Sequence, residues 1–384
     1  MRKMPLILVG LIACVFFANA WIPVEVKREV YAISLLVKSA VIFMLPCLIF
    51  MLLFKTVAAM SRGASRLLGL ILLTLCLSNF VSTMIAYCVG HVVYHVDIAL
   101  AAPAAIEGLS PSWVFTFPRW ISNDYAMFLA LALGFVGARW LPEPAQKLAQ
   151  VFDRWTAKIF KVLTALVPVF VLGFIMKLIH DKLFAKMLSQ YAVIFMIIMV
   201  ALISYIFLVY WASARFKGRQ ALREFKTMLP AAMTGFSSMS SAAAMPLTIQ
   251  AAENNTKEPQ LARLAVPMTA STHLIGDCFA IPLLAFAVMK HFGMVEPTLI
   301  SYGVFALYFV MAKFSVAAIP GGGIIVMLPI LEKHLGFTSE MGSLITALYI
   351  LFDPFITCAN VLGNGGFVLV LNRLKKKWLP SMVR

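Results

Sequence analysis

Two carboxylates set the chemistry open to this chain. Asp277, in His273-Leu274-Ile275-Gly276-Asp277, and Asp353, in Leu351-Phe352-Asp353-Pro354, lie deep inside apolar sequence. An ionised Asp at the centre of a membrane helix costs about 2.5–3.5 kcal/mol on insertion scales, so each needs a cationic partner, a water-filled cavity or a proton. Either can serve as a neutral, hydrogen-bonded link between helices; a substrate or ion site is the reading that uses both. His273 precedes Asp277 by four residues. If that stretch is helical the two share a face and can share a proton, although a lone His in such a helix also serves as a packed, hydrogen-bonded side chain. Asn360 and Asn364 flank Gly363, and with Asp353 they line a polar stripe along one helix.

Two patches must shape the backbone around these groups: Ser237-Ser238-Met239-Ser240-Ser241-Ala242-Ala243-Ala244-Met245-Pro246, and Ala317-Ala318-Ile319-Pro320-Gly321-Gly322-Gly323. Each interrupts an apolar stretch with small, helix-breaking residues. Alone, either reads equally as close helix packing through small side chains. As a pair they mark the broken helices of a transporter's binding site.

The elements that carry these patches are membrane helices. Of 384 residues 62% are hydrophobic and only 12% charged, too few polar groups to cover a soluble fold. Secreted domains, soluble enzymes and disordered regulators are thereby excluded. Apolar runs near 5–22, 31–54, 65–95, 124–140, 160–179 and 188–212 approach or exceed the roughly 20 residues of a spanning helix. From about Pro230 to Asn372 the chain stays apolar but is broken repeatedly, and irregular backbone at membrane depth survives only where protein or a cavity covers it. The site is therefore expected in the second half.

The formal net charge of +16 comes from basic residues clustered between apolar runs, such as Lys55, Arg62 and Arg66 or Arg215, Lys217, Arg219 and Arg223. That is a topology signal: it places both termini in the cytoplasm and gives no sign of nucleic-acid binding. Arg2-Lys3 followed by an apolar stretch and Ala18-Asn19-Ala20 outlines a signal peptide, but removing that span would spoil the charge alternation, so a retained helix is expected. The six cysteines form no Cys-x-x-Cys pair and predict neither a disulfide framework nor a zinc site. Gly321-Gly322-Gly323 lacks the Lys and Ser/Thr of a nucleotide loop, so no cofactor is expected.

In order and spacing, these segments resemble the dicarboxylate/amino acid:cation symporter family, which includes bacterial and archaeal glutamate and aspartate transporters. The match runs from Leu36–Phe54, with Lys38 and Pro46, through the serine-rich stretch ending Ala244-Met245-Pro246-Leu247-Thr248. It continues through Val266-Pro267-Met268 and Ile319-Pro320-Gly321-Gly322-Gly323 to Asp353–Gly366. The resemblance implies an all-α polytopic membrane protein with eight transmembrane helices plus two re-entrant helical hairpins. It implies a homotrimer in a bacterial inner membrane and an elevator-type movement of substrate. Residues 1–224 would be mainly scaffold and trimerisation helices, with some transport-domain helices, and 225–384 the substrate-binding transport core. Ser240 and Ser241 would sit at the first hairpin tip, Ala318 and Gly321 at the second, which would be the gate. Asp353 matches the residue that holds a substrate amino group, Asn360 one near its α-carboxylate, and Thr357 falls between them. Asp277 matches a substrate-contacting threonine.

Departures from the family pattern narrow the expectation. Where relatives that take acidic amino acids have an Arg three residues after the Asp, this chain has Ile356, which cannot pair with a side-chain carboxylate. The sodium-coupled relatives carry Asn-Met-Asp-Gly-Thr where His273 to Asp277 stand, and an Asp in place of Asn364. The expected function is a symporter importing a small, neutral amino acid with protons rather than sodium, Asp277 being the first proton carrier and His273 the second. One charge moved inward is worth about 2.3 kcal/mol per 100 mV, roughly fifty-fold accumulation of a zwitterion. The alternatives are a C4-dicarboxylate or acidic amino acid:cation symporter, a passive pore, for which no selectivity ring is evident, and an intramembrane aspartyl protease. The protease reading has its half-motifs in the wrong order and leaves the two broken patches without a role.

Overall fold

The computed structural model describes residues 10, 14–58, 65–95, 108–118, 120–121, 123–181, 184–316 and 321–378. The elements are helices throughout: α1 (Val24–Ala58), α2 (Ser65–His95), α3 (Asn123–Trp140), α4 (Pro142–His180), α5 (Phe184–Ser213), α6 (Gly218–Ser238), α7 (Ser241–Thr256), α8 (Pro259–Thr269), α9 (Ile275–His291), α10 (Leu299–Lys313), α11 (Gly322–Leu335) and α12 (Ser339–Trp378). Three of the described helices carry a span long and apolar enough to cross a bilayer: Gly69–His95, Tyr191–Ser213 and Ser339–Trp378. The apolar runs from 31 to 212 all fall within helices α1 to α5, while most of the first run lies outside the described residues.

Helix boundaries follow local chemistry. Pro142 and Pro259 open α4 and α8 at positions where the missing N–H would have had no partner. Ser240 and Thr298 cap α7 and α10 by accepting from the Ala243 and Ser301 amides. Gly321, at φ 70°, starts α11 from a left-handed turn that a Cβ would strain.

The helices pack in two groups. α1 packs chiefly on α4 and α3, with Lys55 paired to Asp153. α12 is the spine of the other group: α5, α6, α7 and α9 lie along it, and α2 covers α9 and α10. Two pairs of consecutive helices, α6 with α7 and α10 with α11, fold back on one another around short breaks. Those breaks are the two small-residue patches. The far end of α12 is pinned to the α7–α8 junction by Lys375, 3.0 Å from Glu258, and by Asn372, which donates to the Thr256 carbonyl at 3.2 Å.

A candidate substrate site at the tip of the second helical hairpin

α12 carries the site because its apolar sequence is interrupted by polar residues at helical spacing. Tyr349, Asp353, Thr357, Asn360 and Asn364 recur at intervals of three and four, so they line one face, and all five are buried. The Asp353 carboxylate accepts from the Thr357 hydroxyl at 2.9 Å and from the Gly321 backbone N–H at 2.8 Å. The first bond is local to α12. The second closes the tip of the α10–α11 hairpin directly onto Asp353.

Asp277 lies in the first turn of α9, where the helix N-terminus favours a negative charge. Its carboxylate is engaged on every side: Oδ2 is 3.0 Å from the Lys313 ammonium, and Oδ1 accepts from the Tyr349 hydroxyl at 2.9 Å and the Asn360 amide at 3.1 Å. Lys313 and Asp277 are 0% and 1% exposed, so the ion pair is fully desolvated. The Lys313 ammonium also stands 4.4 Å from the centre of the Phe309 ring, whose face adds a cation–π attraction. Gly276 lets this cluster form: a Cβ there would fall on the Ile356 carbonyl and the Asn360 amide, whereas the bare backbone donates to Asn360 Oδ1 at 2.7 Å.

The hairpin break is thus fastened at both ends by the two carboxylates. Lys313 closes α10 onto Asp277, and Gly321 opens α11 on Asp353. Gly323, one turn-start further, packs so tightly that a Cβ would collide with the Asp277 carboxylate and the Tyr349 hydroxyl. Ala318 lies outside the described residues.

The first hairpin approaches the same face of α12. Ser240 and Ser241 are buried at its tip, and the preceding residue, Met239, takes a left-handed conformation at φ 50°. Gly235 on α6 packs against Thr357 and Val361, where an added Cβ would press on the Val361 methyl.

His273 departs from its expected place. The chain is not helical over 270–274, so the four-residue spacing does not bring His273 onto the Asp277 face. Its Nε2 lies 2.9 Å from the Ser78 hydroxyl on α2, and its ring rests 4.4 Å from that of Phe367. Its Nδ1 has no hydrogen-bond partner among the described residues, and the side chain lines a cavity of about 170 Å³ with Ser78, Tyr205 and Gly363. Asn79 donates to the Thr272 carbonyl at 2.8 Å, satisfying one group of this irregular segment. Asn364 Oδ1 is likewise unpaired among the described residues.

The predicted residues fall into two sets that share α12 and the second hairpin: Asp353 with Thr357 and Gly321, and Asp277 with Asn360, to which the structure adds Lys313 and Tyr349. The signal for Lys313 was available, since it is the sole charged residue of a long apolar run between Glu296 and Glu332. Tyr349 gave none beyond its position one turn before Asp353.

The defining sequence pattern of the sodium:dicarboxylate symporter family matches residues 4–374. The chain belongs to that family. Among curated relatives, excitatory amino acid transporter 3 of Homo sapiens is 25% identical over 268 residues, 67% of this chain and 49% of that protein. The Bos taurus protein of the same name is 26% identical over 263 residues, 66% and 48% of the two chains. That of Oryctolagus cuniculus is 28% identical over 158 residues, 40% and 29%. The chain spans about half the length of the curated relatives it matches most extensively. The printed names of the family and of these relatives are those of a symporter and of transporters.

Proposed function

We propose that the protein is a secondary active symporter that imports a small neutral amino acid together with protons. Eight spans and two re-entrant hairpins, a trimeric assembly in a bacterial inner membrane, and cytoplasmic termini complete this reading. Residues 1–224 would be mainly scaffold and 225–384 the moving core, with α2 and α5 belonging to the core because they pack on α9 and α12.

The observation that carries the proposal is the Asp353 carboxylate at the hairpin tip. It is buried, and one of its two protein donors is a backbone N–H on a hairpin. A substrate ammonium offers three charge-assisted donors, which are stronger than a neutral amide. It would displace Gly321 and release the tip, so that binding and gate movement become one event. Thr357 would keep the carboxylate in register. Ser240 and Ser241, at the tip of the first hairpin, would supply polar contacts to the α-carboxylate.

Selection against acidic substrates rests on Ile356, which is 1% exposed and brings no charge to a side-chain carboxylate. Asn360 is held by its bonds to Asp277 and from the Gly276 amide, and the second hydrogen of its NH2 group would meet the substrate α-carboxylate. Proton coupling is assigned first to Asp277, which would take up a proton only once hairpin movement parts it from Lys313, and second to His273. Import of a C4-dicarboxylate or an acidic amino acid is the second reading, favoured by the names of the family and of its relatives. Uptake into proteoliposomes under separately imposed proton and sodium gradients tests the two against each other.

A further inference from the structure

We infer that Lys313 is a resident cation that stands in the place of a coupling sodium ion. The inference rests on the proposed reading of the chain as a cation-coupled symporter and does not depend on the identity of the substrate. In such a protein a buried carboxylate draws its counter-ion from solution. Here the chain supplies that counter-ion itself.

Three features close the place to a metal ion. The Asp277 carboxylate has about four lone-pair sites, and Lys313, Tyr349 and Asn360 occupy three of them. Gly323 packs where even a methyl group would strike the carboxylate, which leaves no room for an ion beside the ammonium. The ammonium and the carboxylate neutralise each other at 3.0 Å with 0% and 1% exposure, so a further positive charge would lack compensation in a medium that punishes it. The location matters as much as the charge. Lys313 ends the first arm of the hairpin, and eight residues on, Gly321 opens the second arm on Asp353. Lys313 thereby ties the first arm of the hairpin to α9 without any ion drawn from solution.

Removing the tether should recreate the requirement. Lys313→Ala leaves Asp277 a buried anion without its partner, in a void the size of the lost side chain. The test is the melting temperature of the purified full-length protein in detergent, without substrate, in sodium chloride against N-methyl-D-glucamine chloride at equal ionic strength. The expected results are a wild type whose melting temperature is the same in both salts, and a Lys313→Ala variant that melts lower and is restored saturably by sodium alone. Lys313→Arg, which keeps the charge, should stay insensitive to sodium. A wild type stabilised specifically by sodium would overturn the inference. So would a Lys313→Ala protein that sodium fails to rescue, including one that stays unfolded in both salts. Because no substrate is added, these results stand apart from whether the protein imports a neutral amino acid.

A second, independent observation lies at the end of α2. His91 Nδ1 and His95 Nε2, one turn apart, converge on the two oxygens of Glu296 at 2.7 and 3.1 Å, and the three donor atoms lie within 4.8 Å of one another. We propose that this His-His-Glu cluster binds a divalent transition metal such as zinc, whose ligand chemistry it matches. Both histidines are more than half exposed, which gives the ion access. The metal would tie α2 to the 292–298 segment that leads into α10, and so stiffen the base of the second hairpin. Isothermal titration of zinc chloride alone into the metal-free protein should give one site per chain, lost in both His91→Ala and Glu296→Gln. Absence of a site, or titrations unchanged by either variant, would refute it.

Discussion

The Lys313 ammonium lies 3.0 Å from the Asp277 carboxylate, and neither side chain reaches solvent. Such a pair is weak evidence of stability, because the cost of desolvating two ions can exceed their attraction. Breaking it by removing one partner is another matter, since it strands a buried charge. The pair joins the second hairpin to α9, while Gly321 joins the same hairpin to α12 through Asp353. A hairpin that opened would have to exchange both sets of partners, and each set can be altered by itself.

Asp353→Asn should remove the charge that a substrate ammonium would meet while keeping the shape of the side chain. A charge-assisted hydrogen bond contributes about 1.5–3 kcal/mol, so substrate affinity is expected to fall roughly ten- to a hundredfold. Binding measured by calorimetry or scintillation proximity should show that loss in a protein whose helix content and melting temperature are close to wild type.

Tyr349→Phe deletes the hydroxyl that donates to Asp277 at 2.9 Å and leaves the ring in place. The carboxylate keeps Lys313 and Asn360, so the variant should fold. Loss of one bond to a charged group costs about 1.5–3 kcal/mol, which a shift in melting temperature would report. An unchanged melting temperature would mean that Asp277 is held by its other partners alone.

Gly323→Ala should be far more damaging than its size suggests. Its Cβ would strike the Asp277 carboxylate and the Tyr349 hydroxyl, forcing either the ion pair or α11 to move. Overpacking of this kind costs about 1–3 kcal/mol. The accompanying loss of transport should exceed that of Gly303→Ala, where nothing stands within 4 Å of the added carbon.

His273→Gln and Asp277→Asn separate the two proposed proton carriers. His273 faces Ser78 and a cavity away from Asp277, so the glutamine variant should retain stimulation of uptake by an inward proton gradient. Asp277→Asn should lose that stimulation. The opposite pattern, with coupling lost only in His273→Gln, would move the proton path to the α2–α12 cavity.

Much of this arrangement is legible in the sequence, and the parts that are not have physical reasons. Charges in apolar sequence must be satisfied, which is why Asp277 and Asp353 stand out, and helical spacing carries Thr357, Asn360 and Asn364 onto the face of Asp353. Small-residue breaks locate both hairpins. The partnership of His273 with Asp277 fails because it assumed a continuous helix, and the backbone unwinds over 270–274, where Asn79 rather than the next turn satisfies Thr272. Lys313 is a charge in apolar sequence like the two aspartates, yet no local rule connects it to a carboxylate 36 residues earlier. That pairing exists only once α10 folds against α9.

The most direct test of the account is uptake of labelled neutral amino acids, acidic amino acids and C4-dicarboxylates into proteoliposomes, with proton and sodium gradients imposed separately. The account predicts uptake of a neutral amino acid driven by an inward proton gradient, indifferent to sodium and, at low substrate concentration, at least roughly tenfold weaker in Asp353→Asn. Sodium-driven uptake of an acidic amino acid or a dicarboxylate would contradict it.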